Sequence, residues 1–157
     1  MTKLIEKQAT YNEGMFFQIR LTSRYLTLMG NQAFEKLNFP ISFEEYIMLD
    51  TIAYNEGICN RDLAKKLLRD RSNVGKTVSN LEEKKLIKII PDIRNNRTIK
   101  KLKVTESGIK LCNQMYTRLE PYIKILNDSI SKEEQDFLCK SLENCRKVLD
   151  NIVETQI

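Results

Sequence analysis

The residues in this chain best suited to chemistry are amide, hydroxyl and cationic side chains at helical spacing. Asn73, Lys76, Thr77 and Asn80 share one side of a helical pattern, and Arg71 and Ser72 stand at its start. Asn and Lys can pair with base edges, and Thr can touch a thymine methyl. The first turn of a helix also offers free N–H groups to a phosphate. A second cationic set lies in "PDIRNNRTIKK", residues 91–101, where Arg94, Arg97, Lys100 and Lys101 outnumber one carboxylate, Asp92. Arg94 and Arg97 on a hairpin tip could enter a minor groove, where concentrated negative potential favours arginine. Lys88, Lys100, Lys101 and Lys103 along the strands could meet phosphates, with an affinity that falls as salt rises.

The charge distribution supports a polyanion as partner. Residues 60–104 hold 14 Lys/Arg against 5 Asp/Glu, although the net charge of the whole chain is only +5. A solvated lysine-rich face would give the same count, so charge alone leaves both readings open. Other chemistries find less support. The chain has no histidine, and its four cysteines, at 59, 112, 139 and 145, form no C-x-x-C pair. No metal or cofactor is expected, and no nucleophile–base or phosphate-loop pattern suggests an enzyme. No apolar run is long enough to span a membrane, and the N-terminus lacks a signal-peptide core, which predicts a cytoplasmic protein.

These residues must be positioned by a mostly helical chain. A length of 157 residues suits about one domain, and five glycines and three prolines break it rarely. The spacing predicts a long helix over about 11–37 with two apolar stripes, one through Met15, Ile19, Leu26 and Met29, the other through Phe17, Leu21, Tyr25 and Leu28. Two stripes on one helix fit a subunit interface, or a helix deep in a monomer core. Ser42 with Glu45 reads as a capping box opening a second helix that Gly57 ends. Ile58 and Cys59 could form a very short strand. Asn60 reads as the cap of a third helix, with Leu63, Ala64 and Leu67 on its inner face. Asp70 or Ser72 caps the fourth, whose inner face is Val74, Val78 and Leu81. Strands are expected at 86–90 and 99–104, with 91–98 as the turn. Thr105 caps a long helix in which Pro121 should cause a kink or a break. Ser131 and Glu134 form a capping box for the last helix, striped by Phe137, Leu138, Leu142, Cys145, Leu149 and Ile152.

Three helices followed by a hairpin is the order of a winged helix-turn-helix. The run "LAKKLLRDRSNVGKTVSNLEEKKLIKIIPDIRNNRTIKKLKVTESG", Leu63 to Gly108, resembles the MarR (multiple antibiotic resistance regulator) family of transcription regulators. The resemblance implies a mainly α (α+β) fold: a winged helix-turn-helix with long N- and C-terminal dimerisation helices. It assigns residues 1–40 and 105–157 to dimerisation and 41–104 to the DNA-binding lobe. It also implies a homodimer that binds double-stranded, pseudo-palindromic DNA, more often as a repressor, with a recognition helix from about Arg71 to Lys84 and Arg97 at the wing tip. Two departures stand out: Asn96 replaces the aspartate common before that arginine, and Lys85 replaces a glycine, so Lys85 must take the glycine's conformation. The family's small aromatic or phenolic effectors suggest Phe16, Arg24, Tyr25 and Tyr46 as pocket residues. Relatives that sense oxidants make Cys59, beside a basic segment, a redox candidate. The alternative reading is a winged-helix protein-interaction module that does not read DNA.

Overall fold

A computed structural model describes residues 14–94 and 97–153. Residues 11–13 of the expected first helix, and Asn95 and Asn96, lie outside the described residues. Six helices and two strands follow in the order α1 (Met15–Lys36), α2 (Phe43–Tyr54), α3 (Asn60–Leu67), α4 (Arg71–Glu83), β1 (Ile87–Arg94), β2 (Arg97–Val104), α5 (Glu106–Asn127) and α6 (Lys132–Ile152). The chain divides into two compact units at Phe43/Glu44. No helix among the described residues is long and apolar enough to cross a membrane.

In the first unit, α1 buries only Gly30, Ala33 and Phe34. Phe34 meets Phe39 edge-on at 4.7 Å and Phe43 at 5.3 Å between ring centroids. The two apolar stripes expected on α1 are mostly exposed, including Met15, Leu21, Tyr25, Leu26 and Leu28.

In the second unit, Met48, Leu49 and Ile52 of α2, Leu63 and Ala64 of α3, and Val74, Val78 and Leu81 of α4 form a closed core. Leu86, Ile87, Leu102, Met115 and Leu119 complete it. Asp70 caps α4 as expected, accepting from the N–H groups of Ser72 (2.9 Å) and Asn73 (3.1 Å). Thr105 caps α5, and Ser131 with Glu134 forms the capping box of α6. Lys85 does take a left-handed backbone, at φ 59°, where α4 hands over to β1.

Four expectations need correction. Asn60 is not the cap of α3 but its first helical residue; Cys59 holds the cap position, with no side-chain capping bond. The strands run further than expected, because Pro91 pairs with Lys100 inside β1 and the ladder extends to Arg94 opposite Arg97. Proline is tolerated there because β1 is an edge strand, while β2 makes the bridge from Lys101 to Cys59. The helix does not break at Pro121, and α5 runs through it to Asn127. The short strand at Ile58–Cys59 reduces to that bridge, with the Leu102 N–H donating to the Ile58 carbonyl at 2.9 Å.

Candidate nucleic-acid interface

The helix-turn-helix is made from α3, a tight turn and α4. Leu68 ends α3 in a left-handed conformation, at φ 50°, and Asp70 starts α4 two residues later. Two ion pairs hold the pair of helices against α2. The Arg69 guanidinium donates to Glu44, and Lys84 Nζ donates to Glu45 Oε1 at 2.7 Å. Glu45 is the buried member, so its partner at the end of α4 offsets a carboxylate otherwise held away from water.

With Val74, Val78 and Leu81 turned inward, α4 presents Arg71, Ser72, Asn73, Lys76, Ser79 and Asn80 outward. None of the exposed large apolar side chains lies on α4. Thr77 departs from the expected outer face: it is half-buried on one shoulder, and its hydroxyl donates to the Asn73 carbonyl at 3.1 Å. Ser79, which the sequence reading omitted, stands exposed instead, with its hydroxyl on the Gly75 carbonyl.

Beside α4 stands the β1–β2 wing. The Ile89 N–H donates to Glu82 Oε1 at 3.3 Å, tying the root of the wing to the last turn of α4. In the observed register, Lys88 pairs with Lys103 and Pro91 with Lys100. Lys101 is engaged by Asp92 at 2.7 Å and Lys103 by Glu56, whereas Lys88 and Lys100 are exposed. The backbones of Arg94 and Arg97 end the ladder; their side chains lie outside the described residues.

Two solved structures of Staphylococcus aureus MepR resemble this arrangement. One is a complex with DNA, 25% identical, with a TM-score of 0.71 over 89% of this chain and 99% of that one. The other is in a DNA-binding conformation, 28% identical, with a TM-score of 0.73 over 87% and 98%. A MarR protein from Peptoclostridium difficile is 19% identical, with a TM-score of 0.73 over 96% and 95%. The fold is that of the MarR family. No protein-family model and no curated protein matches the sequence.

In this MarR-type fold, the effector candidates fall in both units. Phe16, Arg24 and Tyr25 are exposed on α1, and Tyr46 is half-buried on α2. Burial first, then Asp50, pushes the Tyr46 phenol up to about 12. Burial, then the same carboxylate, raises the Cys112 thiol to about 11, and burial raises the Asp50 carboxyl above its ordinary 3.8. All three groups are thus held toward their neutral forms. A different space, a cavity of about 440 Å³, lies between α3 and α6; Leu68, Arg146, Leu149 and Val153 are among its lining residues, and no effector candidate is.

Asp50 supplies a pH test. A carboxyl whose folded pKa is raised weakens the fold once ionised: fully above the folded value, and not at all below the unfolded one. Asp50→Asn is therefore expected to raise the melting temperature at pH 7, with the gain vanishing toward about pH 3. A gain that persists undiminished at low pH would assign it to packing instead.

The redox candidate, Cys59, is half-buried, and its thiol donates to Asp62 Oδ2 at 3.2 Å. The partner of that thiol is a carboxylate and not one of the cationic groups that activate cysteine.

Proposed function

We propose that this protein is a sequence-specific, double-stranded DNA-binding transcription regulator. It acts as a homodimer on a pseudo-palindromic operator and represses by occluding a promoter. One observation carries the reading: a side-chain-capped α4 with a wholly polar outer face stands beside a lysine-bearing two-stranded wing. α4 enters the major groove, where Asn73, Lys76 and Asn80 meet base edges, and Arg71 and Ser72 with the helix N-terminus meet a phosphate. Thr77 reaches the groove only along its shoulder. Lys88 and Lys100 bind phosphates, and Arg94 and Arg97 enter the adjacent minor groove. A protein-docking version of α4 would expose aromatic or aliphatic anchors, and α4 has none exposed.

Residues 1–40 and 105–157 supply the dimer contacts in this proposal, and residues 41–104 the DNA-binding lobe. An effector would act by favouring one spacing of the two recognition helices. If Tyr46 contributes to that site, a phenolic effector binds there as the neutral phenol, because burial, and after it Asp50, opposes a phenolate at this place.

Selection of bound duplexes from random DNA tests the proposal, followed by fluorescence anisotropy at two salt concentrations. The expected result is a two-fold-symmetric winner bound about a thousandfold tighter than scrambled duplex. Equal, weak and salt-erased binding to every duplex would reject it. In the same assay, Arg97→Ala is expected to weaken binding to all sequences and to lower the salt slope by about one. An unchanged slope would remove the wing tip from the interface.

A further inference from the structure

The recognition helix contains a glycine that the fold itself does not require. Gly75 lies inside α4, Arg71–Glu83, where glycine is the costliest residue after proline. Its backbone is not in the left-handed region; among the described glycines only Gly57 is. A Cβ added at Gly75 would meet nothing within 4 Å, whereas one at Gly30 or Gly108 would collide with its neighbours. The protein's own packing and backbone therefore give no reason for a missing side chain here.

Its position suggests the reason. One shoulder of α4 carries Thr77 and Asn73; the other carries Gly75, with Glu82 two turns further along. Glu82 accepts the Ile89 N–H of β1, so the wing stands on the Gly75 side. In the β1–β2 register, Thr98 and Lys100 pair with Ile93 and Pro91, on the sheet face that buries Ile87 and Leu102 at the wing root. That face continues outward past the core, with Thr98 and Lys100 exposed on it. On the side of α4 where the wing stands, a Cβ at Gly75 would meet only open space.

Resting on the DNA-binding reading above, we infer that Gly75 seats the sugar–phosphate strand that runs between the major groove, filled by α4, and the minor groove, entered by the wing. One strand of a duplex always separates its two grooves, so a protein that occupies both must let that strand pass. Without a Cβ, the strand comes close to the helix backbone, and Lys100 faces it from the wing side. Gly75 is a positioning residue: it sets how deeply α4 sits and reads no base.

Gly75→Ala and Gly75→Met in the full-length protein separate this role from a structural one. Alanine is expected to raise the melting temperature by roughly 2–4 °C, because it removes glycine's helix penalty and meets open space. At the same time it should weaken binding to the selected operator about tenfold, and methionine should weaken it further. The selected sequence should stay the same, since the lost contact is to the backbone. Alanine binding within about twofold of wild type would overturn the inference, as would a lowered melting temperature or a changed sequence preference. Wild-type protein, run in parallel, keeps the outcomes distinct: if it selects no duplex, the DNA-binding reading fails, and not the seat.

Discussion

Gly108→Ala is expected to lower the stability of the fold by about 3 kcal/mol, a drop in melting temperature of roughly 6–12 °C for a chain of this size. A Cβ at Gly108 would overlap the Leu86 carbonyl oxygen and come within 2.6 Å of Val104 Cγ1. The obstacle is backbone, and that backbone is pinned. The Thr105 N–H donates to the Leu86 carbonyl at 3.0 Å, and the Thr105 hydroxyl lies 2.8 Å from the Lys85 carbonyl. The Ser107 hydroxyl donates to the same Lys85 carbonyl at 3.0 Å. To admit one methyl, either the start of α5 must swing away and break these bonds, or the root of β1 must move and open the core at Ile87. Either movement disturbs the joint between the wing and α5, so DNA affinity should fall together with stability. Ser107→Ala is the local comparison: it removes one exposed hydroxyl without adding bulk and should cost about 1 kcal/mol or less. A Gly108→Ala protein melting within about 2 °C of wild type would show that the joint yields, and would refute the account.

Features decided by near neighbours in sequence were legible. Asp70, Thr105 and the Ser131–Glu134 pair each place an oxygen two or three residues before an orphan N–H, a relation that needs no tertiary knowledge. The left-handed Lys85 was expected from the family resemblance, in which glycine holds that position, and the structure puts it at φ 59°. Where the outcome depends on distant partners, local spacing does not decide it. Pro91 looks like the start of a turn, yet whether proline ends a strand depends on which of its edges is paired. Pro121 reads as a kink or a break, and of the two the break does not occur, since α5 continues through it. Asn60 outranks Cys59 as a cap by propensity, but the helix begins where the Leu63 N–H reaches the Cys59 carbonyl, at 2.9 Å.

The candidate interface divides in the same way. The inner face of α4 followed from the spacing of Val74, Val78 and Leu81, and most of the outer face followed from the inner one. Thr77 was misplaced because a helix has shoulders as well as two faces, and neighbouring elements decide which shoulder stays open. The Glu82–Ile89 bond puts the wing on the Gly75 side, so it is not the wing that half-buries Thr77, and no periodicity could have indicated either fact. Ser79 could have been found from sequence alone, being one turn from Lys76 and two from Ser72 on the face opposite the core.

The apolar stripe of α6 was legible too, but what covers it was not. None of α6 is buried, although Leu138, Leu149 and Ile152 recur along one side of it. Leu138 is 49% exposed and Leu149 47%, so neither contributes a closed core to its own chain. Burying each such side chain fully would yield about 1.5–3 kcal/mol, and a two-fold interface counts every contact twice. The double variant Leu138→Glu/Leu149→Glu places four carboxylates per dimer at the proposed contact, where burial would leave them unpaired. Sedimentation is expected to find a monomer, and circular dichroism should show that helix content is retained because the closed core is untouched. Operator affinity is expected to fall by about a hundredfold or more, since each lobe then binds its half-site without the effective concentration its twin provides. A tethered dimer of the same variant, joined end to end by a flexible linker, should recover part of that loss; a point defect in the DNA-binding lobe would not respond to tethering. A double variant that still sediments as a dimer would move the interface away from this face of α6.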